Sequence, residues 1–199
     1  MNEELQQKLR QFLLACYDLD INEAKCYYST QNYAFIFPGK PYMLRVSMTA
    51  QKTRAEILSE LMWVDDLKQF KQTICEPNMS LNGRLMEEFE IDGKVYRASM
   101  FRTARGTVEP VAKMNPMFFV CVGDLLGSIH QVSTNERKLK IHYKRKTLAE
   151  QFAQRKERAF PFLSADVQSR IESIEAQVNA LPQDLGVYGI CHGDFHLNN

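Results

Sequence analysis

The stretch CHGDFHLNN, residues 191–199, is the last of the chain and holds two histidines, an aspartate and two asparagines within nine residues. Three chemistries suit it. As a metal site, His192, Asp194 and His196 carry suitable donors, and on an extended backbone their alternate spacing sets them on one face. As a plain turn, HGD and NN are loop formers whose side chains bond the nearby backbone. As a phosphoryl-transfer loop, Asp194 accepts or orients the proton of an attacking hydroxyl. The carboxamide of Asn199, five residues on, then offers a neutral oxygen to Mg2+.

The rest of the chain narrows the choice. A length of 199 residues suits one large domain or two lobes, and a formal charge of +1 gives no global field for nucleic acid or an anionic membrane. Five widely spaced cysteines (Cys16, Cys26, Cys75, Cys121, Cys191) without a CxxC argue against a disulfide framework and a zinc site, and fit a reducing cytoplasm. The start, MNEELQQKLR, is too polar for a signal peptide, and no apolar run approaches the roughly 20 residues of a membrane helix.

Leu5, Leu9, Phe12, Leu13 and Cys16 form one apolar stripe of a helix ending near Asp18. Period-2 and β-branched stretches then predict antiparallel strands at about 24–29, 33–38 and 41–48. TRAEILSELMWVDDLKQF returns to helical spacing, with Ile57, Leu61, Val64 and Leu67 on a face. Two more strands, about 84–91 and 94–101, are joined by IDGK, whose Asp-Gly pair favours a tight hairpin. After Gly106 the pattern is helical: 117–133 predicts a buried helix, TLAEQFAQRKERAF and SADVQSRIESIEAQVNAL more exposed ones. The expectation is an α+β chain with a sheet lobe over 1–101, a linker over 102–109 and a helical lobe over 110–199, separated by a cleft.

The Asp194-to-Asn199 spacing is that of the protein-kinase catalytic loop. HGDFHLNN after YGIC, read as a small hydrophobic strand, resembles the catalytic loop of the aminoglycoside phosphotransferase and choline kinase-like family. VGDLLGSIHQVS is similar to that family's early C-lobe helix, and the order of upstream elements looks like its N-lobe. The resemblance implies a protein-kinase-like fold with a five-stranded antiparallel N-lobe. It further implies transfer of the γ-phosphate of ATP (or GTP), with Mg2+, to a hydroxyl of a small molecule. A family member would continue past such a loop into a motif with a metal-binding aspartate. The 199 residues are therefore expected to be an N-terminal fragment, inactive as written.

On the same resemblance, Asp194 is the catalytic carboxylate, His196 steadies its loop by hydrogen bonds, His192 anchors the turn before it, and Asn199 binds metal. The third strand should carry the phosphate-binding cation, here Arg45 where the kinase signature has lysine. Met43, Arg45 and Ser47 share one face; Leu44, Val46 and Met48 share the other. Leu44 and Val46 would pack beneath a helix, Met43 would roof the adenine and Arg45 would reach the phosphates. The alternative is an arginine facing solvent at a sheet edge. Glu60 is the better candidate to hold Arg45, with Glu56 the other. The STQN turn, through Ser29, Thr30 and Asn32, would cover the phosphates or serve only as a hairpin. Backbone groups from Phe101 through Arg102 to Ala104 would meet the adenine.

Three features invite plainer readings. The basic run RKLKIHYKRK (137–146) is a solvated connection or a dock for an acidic partner. His130 is a core or supporting residue, and Met100, Met117, Phe118 and Phe119 are core. A second reading of the whole chain is a degenerate kinase-like module that binds nucleotide or a partner without turnover. Arg45 favours it, and the intact Asp194–Asn199 spacing opposes it.

Overall fold

The computed structural model describes residues 3–28, 32–48, 52–69, 74–104, 110, 114–134, 145–184 and 187–193. The chain divides into two units, Met1–Ser128 with Lys140–Tyr143, and Ile129–Leu139 with Lys144–Asn199.

In the first unit, α1 (Glu3–Tyr17) buries Leu9, Leu13 and Cys16, the stripe that its spacing predicts. The sheet comprises β1 (Lys25–Tyr28), β2 (Asn32–Ile36), β3 (Tyr42–Met48), β4 (Pro77–Asn78), β5 (Glu87–Ile91) and β6 (Lys94–Arg102). All pairings are antiparallel, in the order β1-β2-β3-β6-β4, and β5 also pairs with β6. The five expected strands are present, and β4 joins them as a sixth. Two residues beginning with proline are too short to alternate, and proline is tolerated at such an edge because it need not donate to the ladder. The β5–β6 turn places Asp92 and Gly93 at φ 52° and 70°, the left-handed pair a two-residue hairpin demands.

Strand alternation divides the core. Leu44 and Val46, both fully buried, pack with Leu9 and Leu13 of α1, Phe35, Phe37, Tyr96 and Ala98. On the opposite side, Met43 packs with Phe101, Met86, and Ile57 and Leu61 of α2 (Arg54–Gln69). The sheet is therefore covered by α1 on one face and by α2 on the other. The helix over Leu44 and Val46 is α1, while α2 covers the face of Arg45.

α3 (Pro116–Ser133) forms as expected, but its burial differs from expectation. Only Ile129 and Ser133 are buried, and Met117, Phe119 and Val120 are about half exposed or more. A helix apolar all round needs neighbours on every side, and the described residues do not supply them. His130, expected in the core or as a supporting residue, is exposed for the same reason.

In the second unit, α4 (Leu148–Ala159) and α5 (Ala165–Asn179) are joined by a 3-10 turn, Phe160–Phe162. Thr147 and Glu150 close a capping box at the start of α4. Lys156 ties the two helices, donating to Glu175 at 2.7 Å and lying 4.8 Å from the Phe160 ring centroid.

Candidate functional site

Arg45 sits on β3 between Ala34 of β2 and Ser99 of β6, so it occupies the middle of the sheet rather than an edge. The alternation that buries Leu44 and Val46 under α1 turns Arg45 toward α2. Its Nη1 donates to Glu60 Oε1 at 2.7 Å. The guanidinium also lies over the Phe101 ring, with Cζ 4.9 Å from the centroid. Glu60 is delivered by α2 because its neighbours Ile57 and Leu61 anchor that helix to Met43 and Phe101.

The Glu60 carboxylate carries a second cation: Lys52 Nζ donates to Oε2 at 2.9 Å. Burial alone would push this carboxyl up. The charges and hydrogen bonds of Arg45 and Lys52 outweigh burial and hold it below the ordinary carboxylate value. Glu56, the other candidate, is used elsewhere. Its Oε2 accepts from the Thr53 backbone N–H (2.7 Å) and hydroxyl (2.9 Å), and its own N–H reaches Thr53 Oγ1, a capping box that starts α2.

Asn32 faces Ser47 across the β2–β3 ladder and accepts from its hydroxyl at 2.6 Å. Met43 is partly buried in the apolar cluster under α2. Phe101 lies on β6, one residue before the strand ends at Arg102, and its buried ring is what reaches Arg45. The Arg102 N–H bonds the Glu76 carbonyl (2.7 Å) and the Thr103 N–H the Pro41 carbonyl (2.9 Å), so both amides are engaged within the sheet unit; Ala104 is exposed. Sequence reasoning missed Lys52 and the Phe101 ring. Alternation in YRASMFR could have found the ring, because Phe101 pairs with Met43 on the face of Arg45. Lys52 precedes α2, and no helical or strand period links it to Glu60.

Asp194, His196 and Asn199 lie outside the described residues, as do Ser29 and Thr30. The run that leads to the terminal loop is described. YGIC (188–191), read as a strand, takes part in no ladder among the described residues, and a strand exists only with a paired neighbour. Gly189 lies against α3: a Cβ there would stand 2.9 Å from the Ser133 carbonyl oxygen and 3.2 Å from the Thr134 nitrogen. Gly193 takes φ 78°, in the left-handed region. The basic run 137–146 lies outside the described residues except for Arg145 and Lys146. Among the described residues no three His, Cys, Asp or Glu side chains gather as metal ligands, and no helix is long and apolar enough to cross a membrane.

The chain is 21% identical over 188 residues to amicoumacin kinase of Bacillus subtilis (strain 168), a match covering 93% of this chain and 56% of the relative. Its fold resembles a solved amicoumacin kinase, hAmiN in complex with AMP-PNP, Ca2+ and Ami. The TM-score is 0.83 at 20% identity, covering 100% of this chain and 62% of the other. A spectinomycin phosphotransferase in complex with ADP and spectinomycin aligns at TM-score 0.53 and 17% identity, over 97% of this chain and 64% of that one. The chain thus spans a little over half the length of the curated relative. The fold is the kinase-like α+β arrangement of these structures. Residues 27–199 match the model of the phosphotransferase enzyme family, and the chain belongs to that family.

Proposed function

We propose that this chain carries the nucleotide-binding lobe (1–101), the linker (102–109) and the catalytic loop of a small-molecule kinase acting in the cytoplasm. The enzyme moves the γ-phosphate of ATP (or GTP) to a hydroxyl of a small molecule. The observation that carries the proposal is the Arg45–Glu60 pair at 2.7 Å on the α2 face of the sheet, in a chain of the phosphotransferase family.

A loose phosphoryl transition state needs alignment and charge stabilisation more than covalent chemistry. Arg45 supplies a planar cation for phosphate oxygens, and Glu60 fixes its direction. Met43 and the backbone from Phe101 to Ala104 border the adenine, and Asn32 lies beside the phosphate-covering turn. Asp194 orients the acceptor hydroxyl and takes its proton, with His196 steadying the loop. The carboxamide of Asn199 suits a hard cation such as Mg2+, which neutralises phosphate charge when bound. The names of the relatives, kinases of amicoumacin and a spectinomycin phosphotransferase, support a small-molecule acceptor. Their greater length supports assigning much of the acceptor pocket to residues beyond these 199, which would then not turn over alone.

The test is nucleotide consumption by the full-length protein with Mg2+ and a panel of hydroxyl-bearing metabolites. Turnover of at least one acceptor, abolished by Asp194→Ala while nucleotide binding persists, is expected. Nucleotide binding without turnover of any acceptor, or turnover unchanged by Asp194→Ala, contradicts the assignment.

A further inference from the structure

We propose that Lys52 is a second phosphate-binding cation, acting beside Arg45 on the polyphosphate of the nucleotide; this rests on the nucleotide reading above. Neither family resemblance nor strand alternation points to Lys52, and only the fold brings it to the site.

Arg45 and Lys52 each hold one oxygen of the same carboxylate, at 2.7 and 2.9 Å. Two cations on one anion leave a positive charge to spare, in a place where the Glu60 side chain is only 20% exposed. An anion arriving there meets a cationic pair already spaced by the carboxylate between them. An ammonium has three donors and Glu60 takes one, so Lys52 can meet phosphate without leaving its partner. With its side chain half exposed, the ammonium is open to a ligand from solvent.

The position of Lys52 is built rather than incidental. Its carbonyl accepts from Arg97 Nη1 at 3.0 Å, and Arg97 Nε is locked on Glu88 at 2.6 Å. Arg97 stands on β6 opposite Ser47, two residues along from the partner of Arg45, on the same face of the sheet. Its side chain is 12% exposed. The chain Glu88–Arg97–Lys52–Glu60–Arg45 thus fixes the segment before α2 to the strands beneath it. A casual surface ion pair has no such anchorage on its backbone.

The test is calorimetric titration of the full-length protein with MgATP, comparing Lys52→Met, Lys52→Gln, Lys52→Arg and Arg45→Met. Loss of one charge-assisted phosphate contact weakens binding about tenfold in Lys52→Met and Lys52→Gln, and flattens the salt dependence of affinity. Lys52→Arg recovers affinity toward the parent, because a charged donor remains. If Lys52→Met and Lys52→Gln bind MgATP like the parent while Arg45→Met is weakened, the proposal is overturned and the nucleotide reading stands. If Lys52→Arg fails to rescue and all three variants lose thermal stability together, Lys52 is structural and the proposal is again overturned. If Arg45→Met also binds like the parent, the nucleotide reading falls with it.

Discussion

Arg45 and Glu60 meet at 2.7 Å between the central strand β3 and helix α2, yet their dependence on each other is unequal. Removing Arg45 leaves Glu60 with Lys52, whereas removing Glu60 strands Arg45, only 24% exposed, beside a second cation. Glu60→Ala is therefore expected to cost about 2 kcal/mol and Arg45→Met about 1 kcal/mol, below the cost of breaking a fully buried pair because both groups keep some solvent. Urea denaturation at constant m-value checks the order. Equal costs, or the reverse order, would show that Lys52 does not compensate.

Acid should act on a defined carboxylate. Asp20 accepts from Arg10 Nε at 2.7 Å and from the Asn22 N–H, and these bonds lower its carboxyl to about 2. A carboxyl whose folded value is depressed contributes stability above its ordinary value of 3.8 and loses it as pH falls toward about 2. Carboxyl-carbon NMR titration should show that low midpoint, moving up toward 3.8 in Arg10→Met. A midpoint that does not move would remove Arg10 as the cause.

The segment before β5 is held by one buried acid. Glu87 accepts from Ser80 (2.6 Å), Asn82 (2.8 Å) and Arg84 (3.2 Å), while the Leu81 N–H reaches the Cys16 carbonyl at the end of α1. Glu87→Ala leaves the buried Ser80 hydroxyl without its carboxylate acceptor and should cost about 2 kcal/mol. Hydrogen exchange at Leu81 and Ser80 should accelerate well beyond that in β3. Unchanged protection would mean that apolar packing, not the carboxylate, holds the segment.

Gly189 is constrained by backbone, which cannot swing aside as a side-chain tip can. A methyl group there would press on the Ser133 carbonyl, so Gly189→Ala should destabilise by about 2 kcal/mol. Thermal unfolding measures the loss, and stability equal to the parent would show that the segment around Gly189 shifts freely.

What the sequence disclosed follows from period. Alternation in PYMLRVSM separates Leu44 and Val46 from Met43 and Arg45, and the fold keeps that division. Helical spacing sets Glu56 and Glu60 on one face and does not separate them; the structure does, engaging Glu56 at the Thr53 cap and Glu60 with Arg45. The missed features have no period. β4 is too short to alternate. Lys52 reaches Glu60 through a tertiary contact from outside the helix, and Phe101 contributes a ring to Arg45 from a different strand. α3 reads as buried because its composition is apolar, but composition does not state which neighbours are present to cover it.

The central claim is that the Arg45 guanidinium, held by Glu60, receives nucleotide phosphate. A crystal structure of the full-length protein with Mg2+ and a non-hydrolysable ATP analogue tests it most directly. The account predicts phosphate oxygens within hydrogen-bond distance of Arg45 on the α2 face of the sheet. A nucleotide bound elsewhere, with Arg45 touching only Glu60 and Phe101, would contradict it.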